Sequence, residues 1–160
     1  MQLRNRATVV VAVVFGTFVL AAFVLSVGGR ALRSEPALVT LAPDDVGLVE
    51  TGREVYAAHC AACHGVELEG QPDWRVRGPE GLLPAPPHDE TGHTWHHADA
   101  ALFEMTKFGP QRFAGPDYQS AMPAYEGVLS DAEIVAVLSF IKSTWPPDIR
   151  ARHDAISGGG

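Results

Sequence analysis

Cysteine is scarce in this chain, with two in 160 residues, and the pair lies only three positions apart. A disulfide framework is thereby excluded, since one bridge over so short a loop would add little stability. A zinc site built on two cysteine pairs is excluded too, because no second pair exists. Cations are also few. Twelve Lys and Arg stand against nineteen Asp and Glu, for a net charge of −7. Every acid follows Arg33, whereas four of the cations precede Ser34, so the body of the chain is more acidic than the whole. Nucleic acid is excluded as a partner on that ground, because phosphate binding needs a cationic footprint. The balance fits a soluble domain that meets its partner through a basic or mainly apolar patch. It fits equally an acidic surface that serves solvation alone. There are no internal repeats, and no segment reads convincingly as a strand hairpin.

Charge is wholly missing from residues 7–27, ATVVVAVVFGTFVLAAFVLSV. As a helix this run would rise about 31 Å, close to the hydrocarbon thickness of a bilayer. It exceeds the apolar region of a cleaved signal peptide and no A-x-A site follows it cleanly, so we expect an uncleaved transmembrane anchor over 1–27. Arg4 and Arg6 on one side and Arg30 and Arg33 on the other leave the positive-inside count nearly balanced. Residues 28–45 hold Gly and Pro without helical periodicity and read as a linker. Residues 146–160 begin with Pro146-Pro147 and end in three glycines, which predicts a flexible C-terminal tail. With apolar residues at 46 %, the globular domain expected over 46–145 has enough material for a packed core.

Three helices are expected in that domain. The first covers about Val46 to Ala58. The second runs from about Ala98 to the breaker pair Gly109-Pro110. The third starts at Ser130-Asp131-Ala132-Glu133, a capping-box sequence, and places Ile134, Val137, Leu138 and Ile141 at helical spacing. Between the first two lies a Pro- and Gly-rich stretch, Gly65 to His97, far too long for an ordinary loop unless it wraps something.

The chemistry is concentrated in Cys60-Ala61-Ala62-Cys63-His64. Two thiols at this spacing can add across the two vinyl groups of one haem, and the histidine that follows is then placed under the iron. Rival readings are a thioredoxin-like pair, which wants a βαβ context, and a zinc site completed by His59 or later histidines. His59 itself reads as an exposed polar residue at a helix end. For the opposite face of the iron, Met122 is the candidate, in a non-helical segment before Pro123. Met105, inside the second helix, and the histidines are the alternatives. His88, His93, His96 and His97 fall within ten residues, a density that could hold copper or zinc.

The domain resembles the class I cytochrome c family. The likeness is carried by Cys60 to Gly65, by Ala121-Met122-Pro123-Ala124-Tyr125, and by Ser130 to Ile134, and it spans about 46–145. It implies an all-α fold wrapped around one covalent haem c, with Cys60 and Cys63 as attachment points. It also implies His64 and Met122 as iron ligands. In that family the first and last helices cross closely; here Gly52 would allow the approach, with Val137 and Phe140 as the facing pair. A carbonyl from Leu83 to Pro87 would orient His64; Trp74 and Arg75 are candidates to reach the haem propionates, with ordinary loop packing the equal alternative for Trp74. The function implied is a membrane-tethered one-electron carrier in a respiratory or photosynthetic chain, with no enzymatic activity of its own, either swinging freely between partners or docked as a subunit of an oxidase or dehydrogenase complex. Membrane redox complexes would be its donor and acceptor, and the bilayer would hold its N-terminal helix. The family's attachment chemistry implies that the haem domain faces the periplasm from a bacterial inner membrane. The other readings are a haem enzyme or gas sensor with an open iron site, and a haem subunit with an accessory copper site at His88–His97.

Overall fold

A computed structural model describes residues 39–115 and 117–158. The anchor expected over 1–27 and most of the linker over 28–45 lie outside the described residues. Among those described, no helix is long and apolar enough to cross a membrane. The elements are helices: α1 Val46–His59, α2 Ala61–His64, a 3₁₀ turn Thr94–His96, α3 Asp99–Phe108, α4 Gln111–Ala114, α5 Asp131–Ser143 and α6 Pro147–Ser157. No strand occurs among the described residues beyond an isolated bridge between Glu126 and Leu129. The all-α expectation holds there.

Local chemistry sets the helix starts. The Asp45 carboxylate accepts the Leu48 N–H at 3.0 Å and opens α1. At α5 both halves of the capping box are made: Ser130 Oγ accepts from the Glu133 N–H, and Glu133 accepts from the Ser130 N–H at 2.8 Å. The α5 helix then buries Ile134, Ala136, Val137, Leu138, Phe140 and Ile141, making it the spine of the core.

Its main partner is α1, which presents Gly52, Val55 and Tyr56. At Gly52 the helices touch backbone to backbone. A methyl group there would lie 2.8 Å from Phe140 Cβ and closer still to the Ala136 carbonyl. The facing pair is therefore Ala136 and Phe140, not Val137 and Phe140. Positions 136 and 140 stand four apart on one ridge, whereas Val137 points about 100° away, into the core. Tyr56, one turn along α1, packs its ring 5.5 Å from Phe140 and donates its hydroxyl to the Gly65 carbonyl at 2.8 Å.

Two expectations about the ends need correction. The tail is not frayed over 147–157: it is α6, with Ile149 and His153 buried. Pro147 occupies the first turn, where a missing N–H costs nothing, so the Pro-Pro pair ends one helix and starts the next. Salt bridges from Arg150 to Asp44 (2.7 Å) and from Lys142 to Asp154 (2.6 Å) fasten it. The last residues of the supposed linker are also docked. Leu41 is buried and its N–H donates to Asp99 Oδ2 at 2.8 Å, while the Ala42 N–H donates to Ser139 Oγ at 3.0 Å.

The crossing at Gly52 yields a test. Gly52→Ala should lower stability by about 3 kcal/mol, the upper range for overpacking, because backbone rather than a flexible side chain must give way. Urea unfolding followed by circular dichroism measures it, and an unchanged midpoint would mean the helices do not cross there.

Candidate metal centre

Helix α1 delivers the motif. The Cys60 N–H still bonds to the Tyr56 carbonyl at 2.9 Å, after which one tight turn, α2, carries Cys63 to the surface and His64 inward. Gly65, at φ +83°, ends the turn in a conformation that favours glycine. No disulfide joins the two cysteines. Burial, and secondarily the neighbouring Cys63, push the Cys60 thiol up to about 11.

His64 is buried, with Nδ1 2.8 Å from the Pro86 carbonyl oxygen. A carbonyl only accepts, so Nδ1 carries the proton and Nε2 is left with its lone pair for a metal. Burial holds the ring below its ordinary pKa, with the Pro86 bond pulling the other way, and neutral imidazole is the ligating form. The sequence expectation that a carbonyl from Leu83 to Pro87 orients this ring is met by Pro86. The long loop holds that carbonyl in place by pairing with itself. The Gly70 N–H donates to the His64 carbonyl (2.8 Å), the Gln71 N–H to Ala85 (2.9 Å) and the His88 N–H to Leu68 (2.8 Å). Two unpaired thiols, an inward imidazole with Nε2 available, and a loop folded round them suit a covalently attached haem.

Met122 is half-buried against the core, and its N–H donates to Ser120 Oγ at 3.1 Å. Its segment is stitched to two others. The Tyr125 and Glu126 N–H groups donate to the Thr106 and Lys107 carbonyls at the end of α3 (3.2 and 2.8 Å). The Tyr125 hydroxyl donates to the His59 carbonyl at 2.7 Å, immediately before Cys60. The segment that carries Met122 is thus tied to the residue before Cys60 through Tyr125, a role the sequence reading did not assign to that tyrosine. Met105 is also half-buried against the core, as a helical filler residue. The His59 ring is exposed and meets the Tyr125 ring edge-on at 6.2 Å, while its carbonyl accepts the Tyr125 hydroxyl.

The histidine cluster is dispersed. His88 turns inward and stacks on His64, ring centroids 4.0 Å apart. His93 stacks on Trp74 at 5.4 Å, and His96 on Trp95 at 3.6 Å. His93 and His97 meet edge-on at 5.5 Å, but among the described residues no group of three or more His, Cys, Asp or Glu could hold a metal ion. The reason is geometric, since adjacent residues of the 3₁₀ turn and the extended segments around it point to different sides. A ring stacked on His64 also lies beside it rather than across from it, which removes His88 as the opposite iron ligand. Trp74 is taken up by its stack with His93, and the Arg75 guanidinium covers Trp74 at 4.0 Å.

Removing the Tyr125 hydroxyl should loosen the Met122 segment. Tyr125→Phe is expected to cost about 1 kcal/mol, the net value of such a bond, in chemical denaturation. An unchanged midpoint would show that the hydroxyl does not hold the segment.

Comparison with known proteins agrees with this geometry. The cytochrome c family model matches residues 49–145. A curated relative, "Cbb3-type cytochrome c oxidase subunit FixPc" from Rhizobium leguminosarum bv. viciae, is 30 % identical over 108 residues. That alignment covers 66 % of this chain but 31 % of the relative, so the chain spans about a third of that protein's length. No solved structure matches the chain significantly. With the family match covering the motif, both crossing helices and the segment between them, the chain belongs to the cytochrome c family as a class I, mono-haem electron-transfer protein with covalently attached haem c.

Proposed function

We propose that this chain is a membrane-tethered carrier of single electrons, working between membrane redox complexes with its haem domain on the periplasmic face of a bacterial inner membrane. Cys60 and Cys63 would hold the haem, and His64 and Met122 would ligate its iron. The observation that carries the two-ligand reading is the Tyr125 to His59 hydrogen bond, which fastens the Met122 segment beside the motif.

The haem supplies a one-electron couple when bound. Each surrounding residue has a separate task. Thioether links at Cys60 and Cys63 keep the group from being lost in an extracytoplasmic compartment. The Pro86 carbonyl fixes the His64 tautomer and ring direction, which keeps Nε2 aimed and raises its basicity. The Met122 thioether is a soft, neutral donor that favours the lower oxidation state and so raises the potential. With both ligands held by stitched backbone, electron transfer moves few atoms, and no acid–base pair is required.

The partners follow from the surface. Of the eight cations in the acidic body, Arg53, Lys107, Lys142, Arg150 and Arg152 are already engaged with carboxylates. Apolar contact is then the main route to docking beside Arg75, Arg77 and Arg112, and Val66, 74 % exposed two residues beyond His64, is well placed for it beside the exposed Cys63. The relative is an oxidase subunit, which supports a membrane oxidase among the partners. The uncharged run at 7–27 supplies the tether.

One preparation tests the reading. The full chain should sediment with membranes, and after detergent extraction should give a low-spin absorption spectrum. Met122→Ala should convert that spectrum to high spin with the haem still attached. An unchanged low-spin spectrum in the variant would assign the sixth position to another residue, and recovery in the soluble fraction would rule out the tether.

A further inference from the structure

Helix α6 lies beyond the family-matched residues, yet its contacts lead back to His64. The link is His88, whose ring stacks on the His64 ring at 4.0 Å. His88 is held at three points. Its N–H donates to the Leu68 carbonyl at 2.8 Å, its Nδ1 meets Thr94 Oγ1 at 2.8 Å, and its carbonyl accepts the Trp145 indole N–H at 2.7 Å. The last two holds both rest on α6. Thr94 belongs to the 3₁₀ turn against which α6 packs, and the buried Trp145 meets the His153 ring edge-on at 5.0 Å.

We propose that Trp145 and His153 are positioning residues for the iron ligand His64, and that α6 is a brace acting on it through His88. The inference rests on His64 being an axial ligand. The ring direction and basicity of a ligating histidine are set by the groups around it, so a shift of His88 alters what His64 presents to the metal.

The brace is fastened by a buried polar cluster that gives it a pH dependence. His153 is fully buried, and neither ring nitrogen makes a hydrogen bond of good geometry among the described residues, the His97 backbone being its nearest approach to one. Facing it are Asp99 of α3 (Oδ1 3.4 Å from Nε2), Lys142 of α5, Asp154 of α6 itself, the His97 backbone and the Trp145 ring. Ser157 Oγ–H donates to Asp99 Oδ1 at 3.1 Å, and Lys142 Nζ lies 3.7 Å from the same carboxylate. Burial and then Lys142 lower the His153 pKa, while Asp99, Asp154 and the His97 backbone pull the other way, leaving it below its ordinary value. The docked state therefore binds fewer protons than the released one. Above about pH 6.5 both forms are neutral and docking is unopposed; below it, protonation favours release.

The test uses the full-length haem-loaded protein with two variants that keep an aromatic ring, Trp145→Phe and His153→Phe. The readouts are the oxidised-to-reduced ratio against a fixed redox buffer and the hyperfine-shifted proton resonances of the His64 ring. Trp145→Phe should change the ratio about threefold, less than the tenfold or more typical of lost support to a ligand, and should move the His64 resonances. In the wild type both readouts should drift as pH falls below about 6.5, and His153→Phe should abolish that drift. If both variants keep the wild-type ratio, resonances and pH profile, even with a lower melting temperature, α6 is merely structural and the proposal fails. Should Trp145→Phe not fold, the wild-type drift and its fate in His153→Phe decide the matter. Absence of any hyperfine shift on His64 in the wild type would instead overturn the ligand assignment itself.

Discussion

The hydrogen bond from the His64 Nδ1–H to the Pro86 carbonyl is the constraint on which the rest of the molecule turns. It joins the end of α1 to the far arm of a long irregular loop, and it leaves Nε2 as the only ring atom free to bind. A loop from Gly65 to His97 would cost more conformational entropy than a compact domain can spare unless its backbone were paired and its contents fixed. Here the pairing is internal, through Gly70, Gln71 and His88, and each bond brings Pro86 nearer its place under the imidazole. The helix crossing at Gly52 acts on the same point from behind. By letting α1 lie directly on α5, it fixes where α1 ends and therefore where Cys60, Cys63 and His64 emerge.

A second constraint operates at the opposite side of the core. Asp99 is one buried carboxylate serving several segments at once. It receives the Leu41 N–H and the Ser157 hydroxyl and lies near Lys142 and His153. Unpairing such a buried charge costs about 3–5 kcal/mol, so the carboxylate ties the entry segment, α3, α5 and α6 into one unit. The chain keeps its surface acidic while spending a scarce lysine inside.

Much of this was legible in the sequence because it is written locally. Asp45, the Ser130/Glu133 box and the helical spacing of Ile134, Val137, Leu138 and Ile141 announce α1 and α5 without any knowledge of what they pack on. The motif at Cys60–His64 and the segment around Met122 were equally plain. What the sequence hid is tertiary. Pro146-Pro147 reads as a stop, and nothing nearby says that Ile149 and His153 will find a surface to bury against. Four histidines in ten residues look like one metal site, yet the extended segment before the 3₁₀ turn lays His88 on His64 while the turn itself stacks His96 on Trp95. Tyr125 carries no local mark of its task, because its partner is a carbonyl sixty-six residues away in sequence.

On the function proposed above, His64 and Met122 come from opposite halves of the chain to a single haem, the first oriented by the Pro86 carbonyl and the segment of the second fastened through Tyr125. The most direct measurement is a proton–carbon spectrum of the reduced protein carrying methyl-labelled methionine. Three methionines are present, Met1, Met105 and Met122. A single methyl signal shifted strongly upfield by the haem ring and assigned to Met122 is the predicted result. Three methyl signals at ordinary positions, or a shifted signal belonging to Met105, would contradict the account.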